Sequence, residues 1–217
     1  TGDSGLIPPV INTRESVDLG LTVKWATCNV GASKPEEKGQ FFQWGGTKDV
    51  PDLSNILNLE NCPYHTGTSQ YSGWTKYVRS GKKYYWGGEG DPDGITELEP
   101  SDDAAHESWG GDWRTPTDAE WTELSEGCTW TWTNLEECYG YKVQSKKPGY
   151  TDKWIFLPAA GIRLNAKYDS YNECGYYWSS TVAADPNEAY LMFFSTSSIR
   201  IAGNSRYCGH SVRPVKE

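Results

Sequence analysis

Cysteine and histidine are the residues of this chain whose types most readily support metal binding or redox chemistry. The six cysteines lie at positions 28, 62, 128, 138, 174 and 208, and the three histidines at positions 65, 106 and 210. Zinc sites usually take their ligands from closely spaced pairs, and neither set supplies such a pair. The spacing therefore predicts no metal and no cofactor.

Disulfide formation is the second chemistry open to these cysteines. An even number of cysteines in an exported protein permits pairing, and Cys174–Cys208 is the bridge that we predict first. The alternative is a set of buried thiols, which the apolar and aromatic neighbours of Cys28 and Cys128 favour. The sequence leaves both arrangements open.

Hydrolytic and calcium-dependent sites are not predicted. The chain contains neither a GxSxG nor an HExxH motif. Residues 89–94 resemble the start of an EF-hand loop, but Pro100 stands at the twelfth position, where the closing Glu should be. Asp185, Asn187 and Glu188 have suitable oxygen atoms, yet they lack the accompanying motifs of a calcium-dependent sugar site. An acidic surface explains the remaining carboxylates.

The charge and hydropathy of the chain restrict its partners. The 217 residues carry a formal net charge of −9, and no cluster of Lys and Arg is present. Binding to a phosphate backbone depends on such clusters, so nucleic acid is not a predicted partner. No apolar run approaches the roughly 20 residues that span a bilayer, so no transmembrane segment is predicted.

The first residues suggest an exported protein. The chain opens with the sequence TGDSG, without an initiating Met and without an apolar signal core. Such a start is typical of a mature protein whose export signal has been removed. We therefore expect a secreted protein or a cell-surface protein, such as an outer membrane lipoprotein whose lipid anchor lies upstream of Thr1.

The predicted organisation is one domain with a preceding linker. Residues 1–15 show no periodicity and form the linker or tail, and residues 16–217 form the domain. Eleven Trp, fourteen Tyr and 23 Gly residues indicate an ordered, loop-rich structure. A polar, turn-rich stretch at about 47–100 is predicted to be an insertion within this domain.

Helix and strand signals flank that insertion. Residues 33–40 have a helix-start pattern, and a second helix is predicted after Thr117, where Glu120 completes a capping box. Trp121 and Leu124 would share one face of that second helix. Alternation of Thr and Trp at 129–133 predicts a half-buried strand, and further strands follow to the end of the chain.

Six phrases, taken in order, resemble one known family. They are VDLGLTVKWATCNVGA (17–32), DDAAHESWGGDWRTPTDAEW (102–121), CTWTWT (128–133), IFLPAAGIR (155–163), GYYWSST (175–181) and GHSVRPV (209–215). The family is the set of paralogous exported proteins first catalogued in Fibrobacter succinogenes and abundant in gut Bacteroidetes, known as the Fibrobacter succinogenes major paralogous domain. It is related to the formylglycine-generating-enzyme-like branch of the C-type lectin-like fold.

The resemblance implies an architecture and excludes little about function. It implies an α+β structure of the C-type lectin-like fold, with a small twisted antiparallel sheet, two short helices, long loops and termini that lie close together. Relatives include oxidases that use paired cysteines near the C-terminus, but Cys208 stands alone there. His106, His210, Arg114 and Arg213 are interpreted as structural residues, because a fold can keep them without keeping an activity.

The C-terminal segment carries the predicted binding face. In relatives of this fold it presents variable side chains to a ligand. If Tyr190, Met192 and Phe194 point inward, their neighbours point outward on the opposite pleat face. The predicted ligand-binding residues are Leu191, Phe193, Ser195, Arg200, Asn204, Ser205, Arg206 and Tyr207. Two alternatives stay open, namely that the 47–100 insertion covers Leu191 and Phe193, and that Arg206 is structural.

These observations lead to three functional hypotheses. The first is a non-catalytic binding module for a protein or glycan on another cell surface, with aromatic anchors near residues 191–207. The second is a structural or assembly component of the cell envelope or a pilus. The third is an oxidase relative with residual activity, which the isolated Cys208 disfavours.

Overall fold

The computed structural model describes residues 14–50, 58–69, 72–79, 92–164 and 167–217. The described chain is a mixed structure of small antiparallel sheets with few helices, which confirms the α+β class. The helices are α1 (Ala104–Trp109) and α2 (Asp118–Gly127), with 3-10 turns at Leu59–Asn61 and Pro100–Asp102.

The strands are short, and all their ladder pairings are antiparallel. They are β1 (Ser16–Val17), β2 (Lys24–Ala26), β3 (His65–Ser69), β4 (Ser72–Trp74), β5 (Cys128–Leu135), β6 (Cys138–Ser145), β7 (Trp154–Pro158), β8 (Ile162–Leu164), β9 (Lys167–Asp169), β10 (Cys174–Val182), β11 (Glu188–Ser195), β12 (Ser198–Ser205) and β13 (Val215–Lys216).

Three sheets of three strands position the rest of the molecule. Their strand orders are β1-β2-β13, β5-β6-β7 and β10-β11-β12, and β3-β4 and β8-β9 form separate hairpins. Because β1 and β13 both pair with β2, the first and last strands of the described chain share a sheet. The expectation that the two ends lie close together is thereby confirmed.

Helix α2 begins as its sequence predicts. The Thr117 hydroxyl accepts a hydrogen bond from the Glu120 amide, and the Glu120 carboxylate accepts one from the Thr117 amide. The guanidinium of Arg114 donates to both Glu120 carboxylate oxygens, at 2.8 and 2.6 Å. Trp121 and Leu124 are fully buried, as their spacing predicts.

The helix predicted for residues 33–40 is absent, and that prediction is wrong. The Ser33 amide does donate to the Glu37 carboxylate at 2.7 Å, but Glu37 lies four residues on, one too far for a capping box, and the chain makes only a turn. Gly39 then adopts φ +69°, and a Cβ there would lie 2.3 Å from the Val30 carbonyl oxygen. The chain therefore folds back onto Val30 and cannot propagate a helix.

Aromatic rings fill two hydrophobic clusters. In the first, Trp25 and Trp121 lie 4.7 Å apart between their ring centroids, and both are fully buried. The second surrounds Trp178 and includes Trp44 and Tyr77. Each large ring contributes apolar area together with specific edge or face contacts. The sheet β10-β11-β12 contributes side chains to both clusters.

A buried arginine ties the C-terminal segment to the rest of the domain. Arg213 is fully buried and donates to Asn29 Oδ1 and to the carbonyl oxygens of Ala26 and Phe156, at 2.9, 3.0 and 3.0 Å. These three bonds satisfy the guanidinium without a ligand. The structural interpretation of Arg213, and that of Arg114 on Glu120, is confirmed.

Candidate functional site

The sheet β10-β11-β12 carries the predicted ligand face, and its register places side chains in rows. One row, here called the covered row, consists of Trp178, Leu191 and Ala202. The next row on the same face, here called the open row, consists of Tyr176, Phe193 and Arg200. Directly opposite residues in adjacent antiparallel strands have neighbouring side chains, so each row forms one contact unit.

Leu191 lies in the core, and the prediction that it faces solvent is wrong. Its side chain is 1% exposed and belongs to the cluster that contains Trp44, Tyr77 and Trp178. Tyr77 belongs to the 47–100 stretch and to the same cluster, so part of that stretch shares the core with Leu191, as the alternative expected for this residue. The apolar run AYLMFF at 189–194 is the signal for this outcome, because a strand that is apolar on both faces is buried on both.

Arg206 is also removed from solvent, and its prediction as a ligand-binding residue is corrected. The side chain is fully buried, and its guanidinium carbon lies 3.8 Å from the ring centroid of Trp74 and 4.7 Å from that of Trp44. It donates to the carbonyl oxygen of Pro186 at 3.2 Å. The guanidinium therefore supports the aromatic cluster, as the structural alternative expected.

Asn204, Ser205 and Tyr207 are occupied by contacts within the protein. The Asn204 amide nitrogen lies 3.3 Å from His210 Nε2, and its oxygen accepts a bond from the Ser205 amide at 2.8 Å. The ring of Tyr207 is half-buried against the small cluster around Trp74. These residues shape the turn after β12, and none of them presents a fully exposed side chain.

The open row holds Arg200, the most exposed residue of the predicted set. Phe193 and Ser195 are half-buried, and Arg200 is exposed. The Tyr176 and Phe193 rings lie 5.1 Å apart, and the Arg200 guanidinium carbon lies 4.8 Å from the Phe193 ring centroid. Sequence reasoning missed Tyr176 as a site residue, although it predicted strands in the segment from Cys128 onward. Its position directly opposite Phe193 is a property of the strand register.

Charges of both signs flank the open row. Burial raises the pKa of the Tyr176 phenol, and the nearby Asp169 carboxylate raises it further, whereas Arg200 lowers it. Asp169 also contributes to the raised pKa of the Cys174 thiol, after burial and Glu173. The open row therefore offers an aromatic pair between a cation on β12 and an anion on β9. These side chains can pack against an apolar surface of a ligand and can hydrogen-bond to its cationic or anionic groups.

The predicted Cys174–Cys208 disulfide is absent, and no disulfide links any of the six cysteines. Cys174 pairs with Ser195 at one end of β11. Cys208 follows β12, whose last residue, Ser205, pairs with Glu188 at the other end of β11. Seven residues of strand separate Ser195 from Glu188, about 24 Å at the usual rise. Disulfides require Cα atoms within about 7 Å, so the sheet keeps these two thiols apart.

A thiol, an amide and an imidazole meet at the end of β12. Cys208 Sγ donates to Asn204 Oδ1 at 3.7 Å, and Asn204 lies between the thiol and His210. Burial raises the pKa of Cys208 to about 12 and lowers the pKa of His210 to about 3. An activated thiol pair requires the opposite shifts, a thiolate beside an imidazolium. This cluster is therefore structural.

A cleft of about 390 Å³ lies beside helix α1 and is lined by Asp103, His106 and Arg114 among others. The Asp103 carboxylate accepts bonds from the Thr115 amide and hydroxyl, at 2.7 and 2.6 Å. Arg114 is paired with Glu120, and His106 Nδ1 lies 3.3 Å from a main-chain carbonyl oxygen. These polar side chains of the cleft thus make their contacts within the protein.

A buried polar network anchors the described part of the 47–100 stretch. The hydroxyl groups of Tyr64 and Tyr77 donate to Asp102, and Lys76 Nζ donates to the same carboxylate at 2.6 Å. Burial raises the pKa of Asp102, but these three hydrogen bonds outweigh it, so the pKa lies below its usual value. Tyr64 and Tyr77 both adopt positive φ, 61° and 63°. The network fixes Tyr77, which belongs to the same buried cluster as Leu191.

The oxygen-rich segments do not form a metal site within the described chain. No group of three or more His, Cys, Asp or Glu residues there could hold a metal ion. Residues 89–91 of the EF-hand-like stretch lie outside the described residues, and Asp93 accepts bonds from the amides of Tyr77, Val78 and Ile95. Asp185 bonds to the amide and side chain of Asn187, in a turn.

Comparisons with known proteins assign no function to this site. No family model, no curated protein and no solved structure matches this chain. In the described ranges, no helix is long and apolar enough to cross a membrane.

Proposed function

We propose that this chain is a non-catalytic binding module of the C-type lectin-like fold and that its ligand binds at the open row. The observation that carries this proposal is the half-exposed Tyr176–Phe193 pair beneath the exposed Arg200. Aromatic and arginine side chains supply most of the energy at binding surfaces. Here they extend from a regular sheet, and the two rings are already held against each other before a ligand binds, which reduces the ordering cost of binding.

The architecture supports the fold assigned in this proposal. Small antiparallel sheets, two short helices and long connections make up the described chain, and β13 returns to pair with β2 beside β1. This arrangement is compatible with the C-type lectin-like fold that the family resemblance implies. In that fold the C-terminal strands carry the ligand, which is where the open row lies.

The state of the thiols supports a role without catalysis. Cys208 is the cysteine nearest the position that the oxidase relatives use, and its pKa of about 12 keeps it protonated and unreactive at neutral pH. Burial likewise raises the pKa of Cys62 to about 12 and that of Cys128 to about 11. These thiols behave as small apolar side chains in the core.

The chemistry of the open row suits a protein or glycan displayed on another cell surface. The two rings can pack against an apolar side chain or the carbon–hydrogen face of a sugar, and Arg200, Asp169 and the Ser195 hydroxyl can hydrogen-bond at its rim. In keeping with the family resemblance, we propose that the module is exported and acts in secreted form or from an outer membrane lipid anchor.

The test is a screen of the purified, oligomerised protein on glycan arrays and cell-surface protein panels, with and without calcium. The double variant Phe193→Ala/Arg200→Ala should weaken any hit at least about tenfold, since both contacts are lost. Its melting temperature should fall by less than that of Leu191→Ala, because Phe193 is only partly buried against the core cluster whereas Leu191 lies inside it.

A matched control is Arg14→Ala, which removes an arginine that is also exposed but contacts the end of α1. This control should bind as the parent does. A hit that survives in the double variant, with the control unchanged, would rule out the open row as the site. Failure of the parent on every panel would favour the assembly role described next.

A second candidate function, assembly with other subunits, is favoured by the edge of β12. Among the described residues, β12 pairs with β11 on one side and with no strand on the other. An edge strand with free main-chain groups can accept a strand from another chain. Concentration-dependent oligomers in analytical ultracentrifugation would support this role, and a monomer at all concentrations would oppose self-assembly.

A further inference from the structure

A second group of exposed side chains lies away from the C-terminal strands. Among the described residues, the large hydrophobic side chains that are most exposed are Tyr171 (50%), Tyr139 (46%), Trp154 (42%), Tyr168 (42%) and Leu164 (36%). Single exposed apolar residues need no explanation. Three of these, however, are tyrosines that the fold brings to one end of the sheet β5-β6-β7.

Specific contacts connect these three tyrosines, here called the tyrosine surface. The Tyr139 amide donates to the side chain of Asn172, the residue after Tyr171, at 3.1 Å. Lys38 Nζ lies 4.6 Å from the ring centroid of Tyr168 and 5.7 Å from that of Tyr171. Chain segments that are far apart in the sequence therefore meet at one surface.

Behind the tyrosine surface stands a fourth ring. Trp132 is stacked against Tyr139 with an interplanar angle of 13° and a centroid separation of 6.4 Å. Trp132 is half-buried and also contacts Tyr141 edge-on at 5.1 Å. The two rings are thus nearly parallel, and Tyr139 is 46% exposed, so that part of its ring is available to a ligand.

The turns beside these tyrosines have left-handed backbone conformations. Glu136 and Glu137 form the two-residue turn between β5 and β6, with φ 47° and 66°, and Ser170 and Asn172 flank Tyr171 with φ 56° and 62°. Positive φ at both central residues is the usual geometry of a two-residue hairpin turn, and it fixes the start of β6 next to Tyr139. The Asn172 amide is fixed by a 2.8 Å bond to the Ala159 carbonyl oxygen. The loops are therefore preorganised.

The charges around the tyrosine surface restrict the class of ligand. The exposed carboxylates adjoining it in the chain are Glu136, Glu137, Asp169 and Glu173, and the exposed ammonium groups are Lys38 and Lys167. The excess of negative charge repels anionic glycans and lipid headgroups. Carboxylates are strong acceptors for hydroxyl groups. Flat tyrosine rings beside hydroxyl acceptors suit a neutral sugar chain.

From this geometry we propose that Tyr139, Tyr168 and Tyr171 form a binding surface for a neutral glycan chain. Sugar rings stack on the tyrosine faces, and their hydroxyl groups donate to the surrounding carboxylates. This site is separate from the open row, and it does not depend on the function proposed for the open row. Asp169 lies between the two, with its side chain near Tyr176.

Affinity gel electrophoresis tests the proposal with defined probes. The parent protein is run through gels that contain arabinoxylan, galactomannan, yeast mannan or mixed-linkage β-glucan, and through gels that contain polygalacturonate as an anionic probe. At least one neutral polysaccharide should retard the protein, and polygalacturonate should not. The double variant Tyr139→Ala/Tyr171→Ala should bind that polysaccharide at least about tenfold more weakly.

The control is Trp154→Ala, which removes an exposed ring at the far end of the same sheet, opposite Gln144 on β6. It should be retarded as the parent is. Absence of retardation by every neutral polysaccharide, retardation by polygalacturonate alone, or equal loss in the control would overturn the proposal. Circular dichroism of the tyrosine variant should match the parent, since both side chains are about half exposed.

The open-row variant Phe193→Ala/Arg200→Ala separates this proposal from the proposed function. It should keep the retardation, because the tyrosine surface is intact. If instead it loses retardation while the tyrosine variant keeps it, glycan binding belongs to the open row, and the inference about the tyrosine surface is wrong.

Discussion

The covered row and the open row lie side by side on the same face of one sheet, yet they have different environments. Leu191 in the covered row is 1% exposed, whereas Phe193 in the open row is half-buried. The two residues are neighbours on the same face of the same strand, β11. Leu191 lies inside the buried cluster that includes Trp44 and Tyr77, and Phe193 packs only at the margin of that cluster. Exposure here is decided by the neighbouring segments, and not by the pleat of the strand.

The largest expected effect follows from removing Leu191. Leu191→Ala should lower the free energy of unfolding by roughly 2–5 kcal/mol, because it leaves a cavity beside Trp178 in the buried cluster. The measurement is urea denaturation followed by tryptophan fluorescence. A loss below about 1 kcal/mol would mean that the core around Leu191 is loosely packed. The covered row and the open row would then no longer differ in their contribution to stability.

A somewhat smaller effect on the free energy of unfolding is expected from Arg206, whose guanidinium packs against the rings of Trp44 and Trp74. Arg206→Met should cost about 1–3 kcal/mol, because the buried carbonyl oxygen of Pro186 loses its donor. Arg200→Met in the open row is the matched control, and it should cost about 0.5 kcal/mol, the value of an exposed cation–π contact. Equal losses in the two variants, compared by urea denaturation, would contradict the assignment of one arginine to the core.

The pH dependence of the free energy of unfolding should report on His210, which contacts both the covered row and the open row. Its ring lies 4.1 Å from that of Trp178 and 5.5 Å from that of Tyr176. Burial lowers its pKa to about 3, so the unfolded state binds a proton that the folded state does not. His210 therefore stabilises the fold fully above pH 6.5, and this contribution falls by about 1.4 kcal/mol per unit as pH drops from 6.5 towards 3.

The variant His210→Gln isolates this contribution, because its side-chain oxygen can still accept from Asn204 and it does not titrate. The difference in unfolding free energy between parent and variant should follow that slope in denaturant titrations at several pH values. The carboxylates Asp102 and Glu120, whose pKa values are lowered, weaken both proteins equally on acidification. If parent and variant instead lose stability in parallel as the pH falls, His210 is accessible to protons in the folded protein.

Several local features follow from sequence because neighbouring residues decide them. The capping box of Thr117 and Glu120 and the burial of Trp121 depend on contacts within one helical turn and on helical period. The strand at 129–133 follows from strict alternation. The helix predicted at 33–40 fails because Gly39 returns the chain to Val30, a contact that the capping pattern cannot indicate.

The candidate site was predicted only in part, for a comparable reason. Phe193, Ser195 and Arg200 belong to the predicted set and reach solvent, and Tyr176 was missed because it lies on a different strand. The tyrosine surface left no pattern in the sequence at all. Its members come from β6, from β9 and from the turn after β9, which are about thirty residues apart in the sequence, and only their meeting makes a surface.

The sequence by itself determined the α+β class, the start of α2, the strand at 129–133 and the structural roles of Arg114 and Arg213. Only the tertiary structure decided that Leu191 and Arg206 are buried, that Cys174 and Cys208 stay apart, and which rings face solvent. The physical reason is the range of the interactions. Capping and periodicity act over a few residues, whereas burial depends on which distant segment packs against a side chain.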